Sequence, residues 1–291
     1  MKPCGGVRLA KGGPDQRRKS PAKRLMKARQ TGNLIKELHR MVERNSDPDD
    51  FSGPLGNLLD GIQSKGVFLT DVTFYRARQV TMPLCKHVSH VSQLGYPPDG
   101  EAPKGRLNRE GMSILYAAFS ASAAVVEVYA KVGQIVAIAI IEELPGHANQ
   151  VIFFPIGVPL SNPYATPVRD KNEELVHRYL NEEITKRVNK GGEHQYNSTI
   201  AIADNFLGKP VLRLREGVRP APGLIYPSVQ AGLPSDENSY NVAMKPEVFD
   251  AHYRIVEVRA YECLSLSEIR LISSATVNPD CSLQWTQNGP L

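Results

Sequence analysis

The chain has 291 residues, of which 41% are hydrophobic and 22% are charged, and this ordinary balance excludes a wholly disordered or fibrous protein. Its net charge of +5 comes from the beginning of the chain, because residues 1–24 hold eight Lys and Arg against one Asp. The remainder is slightly acidic. We therefore interpret residues 1–24 as a basic flexible tail, and direct nucleic-acid binding is not expected.

Two helices are predicted next along the chain. Apolar residues recur at partly helical spacing from residue 21 to about residue 44. After a polar break, Leu55, Leu58 and Leu59 indicate a second, shorter helix. Together these features define residues 25–65 as a helical accessory region.

The period of the pattern changes near residue 66, where β-branched and aromatic residues become frequent. We predict that the main domain begins here and covers residues 66–291. Its predicted strands lie at 67–69, 72–75, 114–119, 134–141, 151–156, 224–226 and 253–261.

Three helices are predicted between these strands. An Ala-rich segment over 121–131 follows Ser120, a residue typical of an N-cap. The clearest helix begins at Asp170, with Glu173 in the capping-box position, and a third covers 198–207. Because strands and helices mix without a regular βαβ repeat, an α+β fold is favoured over a doubly wound sheet.

Several classes of protein are disfavoured by motifs that the sequence lacks. The four cysteines form no C-x-x-C pair and the seven histidines show no metal-ligand spacing, so neither a metal site nor a disulfide framework is expected. P-loop, dinucleotide-binding and G-x-S-x-G motifs are also missing. The start has no apolar core of a secretory signal, and the apolar run 135–141 is too short to cross a bilayer. We expect a cytoplasmic protein without membrane contact.

One carboxylate stands out because of its surroundings. Glu127 follows the sequence Ala-Ala-Val-Val at 123–126 and so lies on an otherwise apolar helix. A buried carboxylate costs free energy unless it is paired or has a chemical role. From spacing alone, an ion pair with Arg76 or Arg106 explains Glu127 as well as catalysis does.

Five short motifs follow one another along the chain in a distinctive order. They are Phe74-Tyr75-Arg76-Ala77-Arg78, Gly105-Arg106-Leu107-Asn108 with Gly111, Leu115-Tyr116-Ala117, Ala124 to Glu127, and Tyr226-Pro227-Ser228-Val229 with Asn241. In this order they resemble the RES domain family, which is named for its Arg, Glu and Ser. The resemblance implies an ADP-ribosyltransferase-like split β-sheet core with flanking helices, here preceded by an N-terminal helical extension.

The resemblance also implies a function. Many RES proteins are bacterial toxins that degrade NAD and are held inactive by an Xre-type antitoxin. We therefore predict an NAD glycohydrolase or phosphorylase that cleaves the nicotinamide-ribose bond, with NAD as substrate, no other cofactor and an antitoxin as partner. The alternatives are a protein mono-ADP-ribosyltransferase and a non-catalytic partner-binding module. A homodimer is left open.

The family's functional residues are carried over position by position. The resemblance implies catalytic roles for Glu127, Arg76 and Tyr116. It implies NAD binding by Arg106, Ser228, Arg78 and Asn241. Arg76 and Arg78 share one face of a strand, and Arg76 is preferred as the family arginine because it directly follows the strand aromatic.

These residue types suit the implied reaction. The planar forks of Arg76 and Arg106 are able to grip a diphosphate without a Gly-rich loop. Tyr116 is expected to stack on the nicotinamide or to fix the ribose. Cleavage develops positive charge on the ribose, which the carboxylate of Glu127 would stabilise, and Ser228 would hold the nicotinamide or a ribose hydroxyl.

Two regions depart from the short pattern of the family. One is the stretch of about 65 residues before the domain, which is a candidate for docking a partner. The other is the insertion at 93–104, between Arg76 and Arg106. It is expected either to cover the cleft or to carry an acceptor-binding surface.

Overall fold

The computed structural model describes residues 7–9, 28–60, 66–189, 191–208, 221–230, 239–265 and 268–287. Most of the predicted basic tail therefore lies outside the described residues. The α-helices are α1 (Ala28–Glu43), α2 (Ser52–Leu59), α3 (Leu84–His87), α4 (Ala121–Glu127), α5 (Lys171–Thr185), α6 (Asn197–Leu207) and α7 (Pro246–His252). None of the helices in the described part of the chain is long and apolar enough to span a membrane.

The strands are β1 (Val7–Leu9), β2 (Val67–Leu69), β3 (Phe74–Val80), β4 (Leu115–Ala118), β5 (Ile135–Glu143), β6 (Val151–Pro155), β7 (Ala221–Pro227), β8 (Tyr240–Met244), β9 (Tyr253–Cys263), β10 (Ile269–Val277) and β11 (Leu283–Gln287). They form one mixed sheet in the order β1-β2-β6-β7-β8-β4-β3-β5-β9-β10-β11. Among the strands of the described residues only β6 and β7 pair in parallel. The predicted α+β class is confirmed, whereas its ADP-ribosyltransferase-like detail stays a prediction.

The sheet is nearly divided in its middle. β3 pairs with β5 along all seven of its residues, but its pairing with β4 is reduced to Tyr75 opposite Ala118. One half of the sheet is thus β1-β2-β6-β7-β8-β4 and the other is β3-β5-β9-β10-β11. Because β3 and β4 diverge beyond this one pair, the backbone leaves room for a cleft between the halves.

A layer of four helices covers one face of the first half. α1 packs against α2 and α5, and α5 and α6 pack against β7. One buried apolar cluster joins the accessory region, the helices of the main domain and the sheet. It includes Leu38, Phe51, Tyr179, Ile184 and Leu224. The helices of the accessory region therefore share one core with the main domain.

The opposite face and the second half of the sheet have cores of their own. The largest buried cluster includes Phe74, Leu115, Phe153 and Val242 and lies on the other face of the central strands. A smaller cluster joins the Ala-rich helix α4 to β3 and β5. α4 is thereby fixed beside the division of the sheet.

The helix ends follow the sequence signals in most places. Ser120 caps α4 by accepting a hydrogen bond from the Ala123 amide, as predicted. Asp170 caps α5 in the same way. The predicted capping box is wrong in detail, because Glu173 accepts from the Arg169 amide at 2.6 Å, one residue before the cap. The apolar positions of α5 continue in the sequence to Val188, before Gly191 and Gly192, but the helix ends earlier, at Thr185.

Candidate active site

A cavity of about 300 Å³ lies at the division of the sheet. Its floor is a row of neighbouring residues across β3, β4, β8 and β7, in which Tyr75 pairs with Ala118, Ala118 with Asn241, and Asn241 with Tyr226. All four residues line the cavity. Residues that are far apart in sequence thus meet through strand register.

Glu127 enters this cavity from the last turn of α4. The helix buries Ala123, Ala124 and Val125 against the sheet, which leaves Glu127 half-buried at its end. The carboxylate oxygen Oε1 accepts two hydrogen bonds, from Ser228 Oγ at 2.5 Å and from Asn241 Nδ2 at 2.8 Å. Among the described residues no group donates a hydrogen bond to Oε2, so one oxygen is held and the other is available.

Ser228 and Asn241 reach Glu127 from two adjacent strands. Tyr226 of β7 lies opposite Asn241 of β8, and the Ser228 amide continues the pairing by donating to Ser239 O at 2.9 Å. Both side chains are buried, with exposures of 1% and 3%. The amide oxygen Oδ1 of Asn241 has no hydrogen-bond partner among the described residues. A buried acceptor left in this way at a cavity wall is available to a donor from a ligand or water.

Arg76 is anchored by backbone carbonyl groups of the described residues. Its Nε donates to Leu94 O at 3.1 Å and to Gly95 O at 2.9 Å, and its Nη1 donates to Tyr116 O at 2.8 Å. Burial, together with the nearby cation of Arg78, lowers the pKa of Arg76 to about 10. The guanidinium therefore remains a cation at neutral pH.

Arg106 is held in a comparable way at the end of α5. Its Nη1 donates to Ile184 O at 2.7 Å and to Lys186 O at 3.0 Å, and the guanidinium carbon lies 5.2 Å from the centre of the Tyr196 ring. Within the described ranges neither Arg106 nor Arg76 has a carboxylate partner. Two guanidinium groups without a direct ion-pair partner, against the single carboxylate of Glu127, make the cavity suitable for an anionic ligand.

Tyr116 presents its ring to the cavity while its hydroxyl braces the segment that carries Arg106. The hydroxyl donates to Asn108 Oδ1 at 2.7 Å and accepts from the Leu107 amide at 3.0 Å. Glycine is needed at 105 because a Cβ there would lie 2.3 Å from Asn108 Oδ1. Burial raises the pKa of the Tyr116 phenol, which stays neutral. Because the hydroxyl donates to Asn108, the ring is the part of Tyr116 that faces the cavity, and its role at the nicotinamide or the ribose stays a prediction.

The structure also distinguishes Arg76 from Arg78, the two candidates for the family arginine. Arg76 lines the cavity, whereas Arg78 is exposed, lies outside the lining and donates to the carbonyl of Gln93. Six of the seven predicted site residues thus meet at this cavity, and the exception is Arg78. Five of the six line the cavity, and Ser228 joins them through its hydrogen bond to Glu127. Their roles stay predictions.

Sequence reasoning missed most of the aromatic wall. Five tyrosines line the cavity, and only Tyr116 was given a role from the sequence; the others are Tyr75, Tyr129, Tyr196 and Tyr226. Tyr75 and Tyr226 stand inside the quoted motifs. Tyr226 lies two residues before Ser228, so strand alternation could have found it, whereas alternation places Tyr75 on the face opposite Arg76. Tyr129 and Tyr196 lie on connections, where no period marks a face.

The fold and the cavity together define an α+β protein with a cationic, tyrosine-lined cleft built around one oriented carboxylate. Across the described stretches no group of three or more His, Cys, Asp or Glu has a metal-binding arrangement. The family model of the RES domain matches residues 73–266, about two thirds of the chain, and the chain belongs to this family. No curated protein and no solved structure gives a significant match. Membership of the family is consistent with an NAD-related, toxin-like function.

Proposed function

We propose that this protein cleaves the bond between the nicotinamide nitrogen and the ribose C1′ of NAD and transfers the ADP-ribose to water or phosphate. The observation that carries the proposal is the carboxylate of Glu127, oriented on one oxygen by Ser228 and Asn241 in a cavity with two arginines. A fixed anion beside cationic groups matches a substrate that joins a diphosphate to a sugar on which positive charge develops.

Each group has a role in this reaction. Arg76 and Arg106 bind the diphosphate with the guanidinium N–H groups that are not hydrogen-bonded to backbone carbonyls. As the bond breaks, its electron pair goes to nicotinamide, and Glu127 stabilises the positive charge on the ribose. The acceptor oxygen then bonds to C1′, and where the acceptor is water its proton passes to the solvent. The unpartnered Oδ1 of Asn241 suits a carboxamide N–H or a ribose hydroxyl.

Release of nicotinamide from NAD tests the proposal directly. We expect turnover by the wild type and a loss of at least about 100-fold in Glu127→Gln, which keeps the shape of the side chain and removes its charge. Glu142→Gln is the matched control, because Glu142 is exposed on β5 and outside the cavity. Equal rates for Glu127→Gln and wild type would contradict the proposal. Mass spectrometry of the ADP-ribose product separates water, phosphate and protein as acceptors.

We further propose that the protein is the toxin of a toxin–antitoxin pair with an Xre-type partner. Family membership supports this proposal. Induced expression in a bacterial host is expected to lower cellular NAD and to arrest growth, and co-expression of an adjacent helix-turn-helix gene is expected to restore growth. Growth arrest by Glu127→Gln equal to that by the wild type would show that any toxicity has another cause.

A further inference from the structure

A second cavity, of about 410 Å³, adjoins the first. Arg76, Ala77 and Tyr116 line both cavities, so the guanidinium of Arg76 stands at the boundary between them. The outer wall of the second cavity comes from the segment around the 93–104 insertion. This segment therefore shapes a space continuous with the proposed reaction centre.

The insertion is held in place by hydrogen bonds from the rest of the domain. Arg76 fixes its beginning through Leu94 O and Gly95 O. Ser113 Oγ donates to Pro97 O at 2.5 Å, and Asn108 Nδ2 donates to Pro103 O at 2.9 Å. A wall braced in this way is preformed, which lowers the entropy cost of binding a ligand.

The lining of the second cavity is mainly apolar and includes Leu94, Pro97, Pro98, Ala102, Pro103 and Ile114. Its charged members are two arginines, Arg76 and Arg78, and the carboxylate of Glu101. Arg76 supplies the positive charge on the side of the first cavity. Apolar walls next to a guanidinium suit a flat heterocycle attached to a phosphate.

Size also indicates that a dinucleotide needs both spaces. The first cavity, at about 300 Å³, is at the lower limit of the range typical for drug-sized ligands. NAD consists of two nucleosides joined by a diphosphate, and its cleaved bond must lie beside Glu127 in the first cavity. The remaining nucleoside then requires a neighbouring site that begins at the diphosphate.

We propose that the second cavity binds the adenosine half of the dinucleotide, with the diphosphate crossing between the cavities at Arg76. This inference rests on the proposed function, since it takes NAD as the substrate. It gives the insertion a role in binding substrate rather than acceptor.

ADP is the probe for this site, because it carries the adenosine and the diphosphate but no bond to be cleaved. Glu101→Trp places a large side chain at the edge of the second cavity, and Asp99→Trp is the matched control, since Asp99 is equally exposed on the same turn but outside the lining. In calorimetric titrations we expect Glu101→Trp to weaken ADP binding by at least about tenfold and Asp99→Trp by less than about twofold. Pro98→Trp, at another point of the wall, should act like Glu101→Trp.

Inorganic pyrophosphate separates recognition of the base from recognition of phosphate. It is expected to bind the wild type and Glu101→Trp alike. Thermal unfolding of each variant shows whether it is folded. If either Glu101→Trp or Pro98→Trp is unfolded, ADP binding by the other of these two variants tests the inference. The inference is overturned if ADP fails to bind the wild type, or if the folded wall variants bind ADP as the control does. Nicotinamide release by the wild type is measured separately, so a failure of the proposed function is distinguished from a failure of this site.

Discussion

At the scale of single residues, the most informative contacts are those on one oxygen of Glu127. From the sequence, an ion pair with Arg76 or Arg106 explained this carboxylate as well as catalysis did. Its hydrogen-bond partners are instead the neutral Ser228 and Asn241, and the arginines are bonded to backbone carbonyls. Neutral donors orient a carboxylate without cancelling its charge, which is the arrangement that electrostatic stabilisation of a cationic sugar requires.

Removal of the Ser228 hydroxyl should weaken this arrangement without abolishing it. Hydrogen bonds to charged groups contribute about 1.5–3 kcal/mol, so we expect Ser228→Ala to lower kcat/KM for NAD by about 10- to 100-fold. Ser198→Ala is the control, because Ser198 is equally buried and donates to a carboxylate, Glu183, outside the cavity. Steady-state nicotinamide release compares the two variants. If both lose activity equally, the effect of Ser228 is one of general stability and not of the site.

At the scale of secondary-structure elements, the helix α1 of the accessory region packs against the helix that positions Arg106. α1 packs on α5, where the His39 and Tyr179 rings lie 5.5 Å apart and His39 Nε2 lies 3.9 Å from Glu183 Oε1. The end of α5 in turn provides the carbonyl groups that hold Arg106. A change in the packing of α1 is therefore expected to alter the position of Arg106 through α5.

Leu38 tests this support, because its side chain is fully buried between the helices. Truncation of a buried leucine leaves a cavity and typically costs about 2–5 kcal/mol, so Leu38→Ala should lower the free energy of unfolding by that amount. The neighbouring exposed residue gives the control, Glu37→Ala, which should change it by less than about 0.5 kcal/mol. Urea-induced unfolding measures both. Equal unfolding midpoints would show that α1 contributes little to the common core.

At the scale of the whole molecule, two histidines link stability to pH. Burial lowers the pKa of His177 and of His252 below the ordinary value for histidine. The neighbouring His147 lowers the pKa of His252 further, since the Nδ1 atoms of the two rings lie 3.1 Å apart. The unfolded chain takes up these protons near pH 6.5, while the folded chain takes them up only at lower pH. Below that pH the unfolded state binds more protons, so stability falls as pH decreases.

We expect the free energy of unfolding of the wild type to be lower at about pH 5.5 than at about pH 7.5. His252→Asn removes one of the two histidines, so its free energy of unfolding should fall less on acidification than that of the wild type. His177 accounts for part of the decrease that remains. Denaturant unfolding at the two pH values measures the difference. An unchanged loss in the variant would mean that His252 does not contribute to the pH dependence.

Features that depend on neighbouring residues could be predicted from the amino-acid sequence. Periodicity and capping residues placed α1, α2, α4, α5 and α6 near their observed positions, since a helix is specified by contacts within a few turns. The ordered motifs also gave the family and the residues to examine. The strands β1, β8, β10 and β11 were missed, and β1 falls within the predicted basic tail. β1, β8 and β11 are short and carry too little pattern to distinguish a strand from a loop, while the longer β10 lacks a strict alternation of apolar and polar residues.

Only the tertiary structure decided which of the candidate residues meet. The row from Tyr75 through Ala118 and Asn241 to Tyr226 depends on the register of four strands, and register is fixed by the packing of whole faces and not by any local signal. The same packing placed Arg76 in the cavity and Arg78 outside it, and it left one acceptor of Asn241 without a partner. Local sequence thus determined the chemical groups of this protein, and long-range strand pairing determined their arrangement around the cleft.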